Sequence, residues 1–498
     1  MPDLSTHAYG THRAWEILPG ALVWGTLLAA LVLSVWAPTV AIVLIIIFDL
    51  GWLFRVVYFV IHLFAAWREY GRVTNVDWQA KLATVPGADR VRHLIFLPTY
   101  KEDWDIVRDT LSSLAAAKFP SKRMFIVLAG EGRDAERFHK VAERAEREFG
   151  KVFGHIFVTE HPAGLPDEIP GKGSNLNWAG NAVAKLLADA EPDLADEDVV
   201  VSAFDVDTIA HPQYFAHLAY LYATAPNPTR TSFQPVALFS NNIWSSPAPV
   251  RIAAFGTTFW LLGELARPER LWTFSSHSMP WKMLKDVGFW QKDIVSEDSR
   301  IFLQAFLHYH GDYRVTPVFL PVSMDTVTGK TYVEALVALY KQQRRWAWGV
   351  EHLPVMIEAF KADPKISRAR KAWYVFNHIE GMYTWATAPL LIFLLGWLPL
   401  RFATGQGSAL VQAAPFTLEV IMRLSMAGVF VSAGLSLALL PPRPKKTPSH
   451  RWATMFLQWL LLPVTFAVFG AFPAIDAQTR MMLGKYLGFD VTKKSRAS

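Results

Sequence analysis

The sequence predicts an α/β domain with a mainly parallel sheet, inserted between transmembrane α-helices. Three observations predict it. Short, apolar, β-rich runs alternate with helical patterns between residues 93 and 204, as in consecutive βαβ units. Apolar segments of about membrane length stand on both sides of that stretch. Hydrophobic residues make up 52% of the 498 against 18% charged, a balance tilted away from purely soluble chains.

In chain order, the first apolar segments are residues 18–36 and 40–64. The first is longer than the apolar core of a secretory signal, has no small-residue cleavage site behind it, and is followed almost at once by the second. It is therefore read as a retained helix, and residues 1–72 as an N-terminal membrane region. A soluble domain follows over 73–330. Its expected strands are 93–97, 124–128, 152–158 and 199–204, separated by helical patterns around 105–118, 134–149 and 175–189. An amphipathic helix is expected from about 332 to 360, within an interface region of 331–372. Further apolar segments at 381–400, 424–440 and 452–472 make a C-terminal membrane region of 373–475, before a basic tail at 476–498.

Basic residues set the expected orientation. Arg68 and Arg72 follow the second segment; Lys361, Lys365, Arg368, Arg370 and Lys371 precede the third; Arg443, Lys445, Lys446 and Arg451 lie between the fourth and fifth. Residues 38–39 are uncharged, and 401–414 carry only Arg401. The soluble domain is thus expected on the cytosolic face of the plasma (inner) membrane of a multi-pass protein. The tail, with Arg480, Lys485, Lys493, Lys494 and Arg496, also reads as cytosolic, which five crossings do not permit. Pro463 makes the fifth segment the candidate for an interfacial or re-entrant element. A net charge of +6, with basic residues clustered at the ends of apolar segments, suits membrane lipids and not nucleic acid. With no cysteine, disulfides, thiolate metal sites and cysteine nucleophiles are excluded.

Ligands of parallel sheets bind at the carboxyl ends of strands, and the chemistry-bearing strings fall there. Asp-x-Asp occurs at Asp103–Asp105, Asp196–Asp198 and Asp205–Asp207. The first opens a helix, and the second sits in an acidic loop. Only Asp205 and Asp207 directly follow a buried-looking strand, where they can share Mg²⁺ or Mn²⁺ with a diphosphate or simply form a turn. Downstream stand Ser296-Glu297-Asp298 and Gln342-Gln343-Arg344-Arg345-Trp346. By position alone, Ser296 caps a helix whose first turn holds Glu297 and Asp298.

Together and in this order, the three strings resemble the signature of membrane-embedded family 2 glycosyltransferases, which include cellulose, chitin and hyaluronan synthases. The resemblance covers roughly residues 90–360 and implies a GT-A-type, nucleotide-sugar-binding domain. It implies inverting, metal-dependent sugar transfer, with Asp205 and Asp207 on the metal and Asp298 as general base toward the acceptor hydroxyl. Gln342 and Arg345 would approach the diphosphate, and Trp346 would stack on the acceptor sugar. The 97–102 string Leu-Pro-Thr-Tyr-Lys-Glu is similar to the family's first nucleotide loop, which assigns Thr99, Tyr100 and Glu102 to the nucleotide. The 170–177 string Pro-Gly-Lys-Gly-Ser-Asn-Leu-Asn is similar to the segment whose lysine, here Lys172, lies near the diphosphate. The chain departs from the family after the second strand, where Ala129-Gly130-Glu131-Gly132-Arg133 replaces Asp-Asp-Gly. Either Glu131 substitutes there with a longer reach or the base is recognised differently; UDP is the expected carrier.

The tail string Phe489-Asp490-Val491-Thr492-Lys493-Lys494 is similar to a gating loop of bacterial cellulose synthase, with Phe489, Val491, Thr492 and Lys494 as the matching residues. A membrane-surface anchor is the alternative. Asp49 and Glu380 either line a glycan path with Tyr383 and Trp385 or pair with Arg55 or Arg423; His277 reads by default as a polar loop residue. Three functions are carried forward: growth of a polysaccharide coupled to export, transfer of one sugar to a lipid or lipid phosphate, and nucleotide-sugar binding without turnover.

Overall fold

The computed structural model describes residues 11–403, 408–445 and 447–488. Its centre is a mixed, mostly parallel sheet in the order β3-β2-β1-β4-β7-β6-β8-β5. The strands are β1 (Arg92–Pro98), β2 (Met124–Glu131), β3 (His155–His161), β4 (Val199–Ala203), β5 (Ile209–Ala210), β6 (Thr231–Phe239), β7 (His277–Pro280) and β8 (Arg314–Met324). β3, β2, β1 and β4 run parallel, β7 is antiparallel to β4, and β6 and β8 are parallel to each other. The expected α/β domain with a mainly parallel sheet, set between apolar helices, is what the chain forms.

The apolar runs become central strands because helices cover both faces. Leu94 and Phe96 of β1 face one core with Leu176, Ala179 and Val183 of the Lys172–Ala190 helix. Ile95 and Leu97 face the other, with Val107 and Leu111 of the Trp104–Ala115 helix and Phe138 and Val141 of the Ala135–Phe149 helix. Two boundaries differ from expectation. β3 begins at His155, because Val152 turns back onto Phe149 and the Gly154 N–H donates to the Met124 carbonyl. β2 runs on to Glu131, which pairs with His161. The amphipathic stretch is two helices, Tyr332–Ala347 and His352–Ala362, joined through a 3₁₀ turn at Trp348–Glu351.

Among the described residues, four helices are long and apolar enough to cross a membrane: Thr11–Trp36, Pro38–Thr74, Ala409–Ala438 and Arg451–Met482. Outward side chains such as Trp36 (85% exposed), Phe54 (70%) and Leu460 (77%) are placed for lipid rather than water. The break falls in the third segment and not in the fifth. Arg368–Phe393 and Leu395–Phe402 meet at a bend of 46°, where Pro399 has no N–H to return to the Leu395 carbonyl. The fifth segment takes up Pro463 and Pro473 with short 3₁₀ and π turns. Glu380 is paired with Arg55, whose Nη2 lies 3.2 Å from Oε2, while Arg423 pairs with Glu419 on its own helix. Asp49 is buried, and among the described residues its Oδ1 has no hydrogen-bond partner.

Gly130 is required by packing. A Cβ there would stand 2.2 Å from the Phe138 ring. Overpacking of this kind costs about 1–3 kcal/mol, so Gly130→Ala is expected to lower the thermal unfolding midpoint of the detergent-solubilised protein. An unchanged midpoint would contradict the packing described.

Candidate active site

One cleft opens at the carboxyl ends of β1, β2 and β4. It gathers Thr99, Tyr100, Glu102, Glu131, Lys172, Asp205, Asp207, Gln342, Arg345 and Trp346. These come from five separated stretches of chain. Asn175, from the 170–177 string, lines it too, as do Phe239, Met324 and Asp325, which no motif had singled out.

The loop after β1 is fixed from beneath. The Thr99 N–H donates to the Ala129 carbonyl at 2.8 Å, and the Tyr100 N–H donates to Glu102 Oε2 at 2.6 Å. Lys101 takes a positive φ of 67°, an uncommon conformation for a side-chain-bearing residue. Its N–H donates to Asp134 Oδ2 (2.9 Å), and its carbonyl accepts from Arg137. Glu131 is buried and accepts from Arg133 Nε at 2.8 Å. The Arg133 guanidinium in turn lies 4.6 Å from the centroid of the Tyr100 ring.

Lys172 holds the middle of the site. Its Nζ donates to Asp205 Oδ1 at 2.8 Å and to Asp298 Oδ1 and Oδ2 at 2.9 and 3.1 Å. Glu297 Oε1 is 3.9 Å away. Burial disfavours the ammonium, but Asp205, Asp298 and Glu297 outweigh it and hold the Lys172 pKa above its ordinary value. Burial first, and then the neighbouring Asp298 charge, raises that of Glu297. Two helix N-termini meet here, and glycine permits the approach: a Cβ on Gly173 would lie 3.0 Å from the Gln291 carbonyl and 3.2 Å from Glu297 Cβ. Asn177 Nδ2 ties the same helix to the Trp290 carbonyl at 2.6 Å.

Asp207 is fully buried, and its Oδ2 accepts the Asp325 N–H at 2.9 Å, which joins the end of β4 to the end of β8. The other Asp-x-Asp pairs sit apart: Asp103 pairs with Arg137, and Asp196 with Lys285. Among the described residues no group of three or more His, Cys, Asp or Glu side chains is disposed around a cation position. Asp205 and Asp207 fit the sparse protein ligation typical of Mg²⁺, in which substrate phosphates supply the remaining oxygens.

Ser296 does not cap its helix. It occupies the position before Glu297–His308, but its side chain makes no cap hydrogen bond. Instead both its N–H (3.1 Å) and its hydroxyl donate to Glu351 Oε1. The other oxygen of Glu351 accepts from Trp348 Nε1 at 2.8 Å. Arg300 Nε donates to His352 Nδ1 at 3.0 Å; burial, with Arg300 alongside, holds His352 well below its usual pKa. The Asp298 helix is thereby locked to the segment that follows Gln342–Trp346. Asp298 also accepts from Ser275 Oγ at 3.3 Å. His277 is no loop residue: it opens β7 fully buried, donates Nδ1–H to the Phe274 carbonyl at 2.8 Å, and is pushed down to about 4 chiefly by burial.

Gln342, Arg345 and Trp346 share one helix face, as residues three and four apart do, and that face is turned to the cleft. The Trp346 ring lies 5.7 Å from Phe239. Arg344 pairs with Asp476 at 3.1 Å, and Trp348 is buried, so neither faces outward from the amphipathic stretch. Phe489, Val491, Thr492 and Lys494 lie outside the described residues. Glu351 was invisible in the sequence because its role needs Ser296, 55 positions away.

The family model for Glycosyl transferase family group 2 matches residues 200–471, more than half of the chain. The match includes Asp205, Asp207, Asp298 and Gln342–Trp346, and begins after the β1 and β2 loops. The chain is similar to the cellulose synthase 1 catalytic subunit [UDP-forming] of Komagataeibacter xylinus, 23% identical over 344 residues; that is 66% of this chain but only 39% of the relative. Among solved structures it is similar to the mannosyltransferase PcManGT of Pyrobaculum calidifontis in complex with GDP-Man and Mn²⁺, with TM-score 0.46, 16% identity and coverage of 85% of this chain and 98% of that one. It is also similar to S. aureus TarS 1-349, with TM-score 0.38, 10% identity, and coverage of 72% and 98%.

A buried donor left without an acceptor costs about 1–3 kcal/mol, and Glu351→Ala strands three. Its thermal midpoint in detergent is expected to fall clearly, and that of Glu351→Gln, which keeps one acceptor oxygen, much less. Equal losses would contradict the hydrogen-bonding role.

Proposed function

The chain belongs to glycosyl transferase family group 2, and from that premise we propose that it transfers sugar units, with inversion, from a UDP-sugar to a growing polysaccharide. The cleft would act at the cytosolic face of the plasma (inner) membrane. The observation that carries this reading is Lys172, which bonds Asp205 on one side and Asp298 on the other. A group that suits a diphosphate and a group that suits an acceptor hydroxyl therefore stand one ammonium apart.

In this reading the nucleotide lies along the ends of β2, β1 and β4. Thr99, Tyr100, Glu102 and Glu131 hold the nucleoside, and Lys172, Gln342 and Arg345 hold the diphosphate; Arg offers planar, permanently charged donors for it. Asp205 and Asp207 would hold Mg²⁺ or Mn²⁺, which supplies charge neutralisation for the departing diphosphate. When Lys172 turns to the diphosphate, Asp298 is freed. Its carboxylate takes the proton of the acceptor hydroxyl, the hydroxyl oxygen bonds to the anomeric carbon, and the bond from that carbon to the diphosphate oxygen breaks. One displacement inverts the configuration. Trp346, beside Phe239, offers an aromatic face to the acceptor sugar.

The Gln342–Trp346 string and the similarity to a UDP-forming cellulose synthase support a polymer and UDP. The apolar helices around the domain, with Tyr383 and Trp385, support passage of the product across the bilayer; a tail closing over the nucleotide through Phe489, Val491, Thr492 and Lys494 belongs to the same reading. The exposed Tyr332, Val333 and Val337 on the helix that carries Gln342 favour a second one, a lipid-borne acceptor drawn to that face.

Purified protein given a panel of nucleotide sugars with Mg²⁺ or Mn²⁺ is expected to release nucleoside diphosphate and form a polymer resolved by mass analysis; a single sugar on lipid would contradict the polymer reading. Asp298→Asn is expected to lower transfer about 10²–10⁴-fold while nucleoside diphosphate binding persists. An unaltered rate would remove Asp298 from the mechanism. Chelation of divalent cations is expected to stop turnover, and turnover that continues in excess chelator would contradict the metal assignment.

A further inference from the structure

A buried cation without an anion stands where the α/β domain meets the last apolar helix. We infer that Arg251 and Arg451 form a discrete site for the phosphate of an anionic membrane lipid. The inference goes beyond sugar transfer and rests on reading Arg451–Met482 as a membrane span.

Arg251 lies in the first turn of the Ala248–Leu265 helix, where the backbone dipole is unfavourable to a cation, and it is only 4% exposed. Its Nε donates to Gln458 Oε1 at 2.5 Å and its Nη1 to the Ser246 carbonyl at 2.7 Å. Both acceptors are neutral. A guanidinium carries five N–H donors, and among the described residues Nη2 makes no hydrogen bond and no carboxylate pairs with Arg251. Buried charges are ordinarily paired. Burial, and then the neighbouring Arg451 charge, pushes the Arg251 pKa down to about 10, with Tyr332 acting the other way. The surrounding fold thus concentrates positive charge here and supplies no acid to meet it.

The guanidinium is also held in place. Ser246 Oγ and Thr326 Oγ1 are 2.6 Å apart, and the Thr326 N–H donates to Asn242 Oδ1 at 2.8 Å. Gln458 is buried on the other side. A donor fixed before its ligand arrives loses little freedom on binding.

The setting says which anion fits. Arg451 opens Arg451–Met482 and is exposed, so it stands at the end of a span, at the level of lipid headgroups. Trp452, Phe456 and Leu460 on the following turns are exposed and apolar, as suits acyl chains and the interface above them. Residues 424–475 contain Arg443, Lys445, Lys446 and Arg451 and no Asp or Glu. Glu334, two positions from Tyr332, is engaged with the Lys330 N–H at 2.9 Å. A phosphate between Arg251 Nη2 and Arg451 would accept charge-assisted hydrogen bonds, while its chains lie along the exposed side chains of the same span. Basic pockets at the ends of membrane helices recognise anionic headgroups in this way.

The test is binding of dioleoyl phosphatidylglycerol to the delipidated full-length protein in detergent, read by native mass spectrometry, beside dioleoyl phosphatidylcholine and inorganic phosphate. Phosphatidylglycerol is expected to bind at least about tenfold more tightly than phosphatidylcholine, and inorganic phosphate weakly. Arg251→Gln is expected to lower phosphatidylglycerol affinity about tenfold. Arg451→Gln, which changes an exposed residue and leaves the buried contacts intact, is expected to lower it about fivefold. Arg72→Gln, a basic residue at the end of another span, is expected to leave it unchanged. Equal binding of the two lipids, unaltered affinity in Arg451→Gln, or an equal loss in Arg72→Gln would overturn the site in favour of general surface attraction. Inorganic phosphate bound as tightly as the lipid would overturn the lipid as its source. None of these outcomes bears on the sugar-transfer reading, which is tested at Asp298.

Discussion

The site depends on one buried ammonium shared by three carboxylates. Lys172 begins a helix, where the backbone dipole is unfavourable to a cation, and it is largely out of water. A buried charge of this kind is tolerable only if paired and hydrogen-bonded. Asp205 and Asp298 supply the bonds, and Glu297 adds its field at 3.9 Å. Two of the three acids stand in the first turn of the Glu297–His308 helix, where the dipole favours them. The misplaced cation of one helix and the well-placed acids of another thus stabilise each other, provided the two N-termini come close. Gly173 provides for that approach, and Asn177 and the Glu351–Ser296 contact hold it. Release of Lys172 to a ligand's diphosphate is then coupled to release of Asp298.

Much of this was legible in the sequence, and for physical reasons. β1, β2 and β4 are buried on both faces, so they read as unbroken apolar runs. The three copies of Asp-x-Asp were told apart by what precedes them, because a carboxylate after a buried strand emerges where ligands bind. Gln342, Arg345 and Trp346 share a helix face by spacing alone. The far half of the sheet did not announce itself. β6 and β8 carry Pro235, Pro317 and Pro321, which signal against strand, and β7 has only four residues, His277–Pro280. Their pairing is decided by distant partners. Ser296 shows the same limit: its local pattern says helix cap, and a carboxylate 55 positions later takes the hydroxyl instead.

The membrane region divides in the same way. Length and composition located the apolar segments, but the weak point lay elsewhere than Pro463. Pro399 and Pro463 each stand in the first turn of a short helical piece, yet the 46° bend falls only before the piece that holds Pro399. Arg55 and Glu380 found each other although 325 residues apart, a pairing that the sequence offered only as one of several.

The most direct measurement is a structure of the protein with a nucleoside diphosphate and Mn²⁺ bound. The account predicts the diphosphate between Lys172 and Asp205, with Lys172 Nζ withdrawn from Asp298 and the Asp298 carboxylate open toward Trp346. A diphosphate seated elsewhere, with Lys172 still joining Asp205 to Asp298, would contradict it.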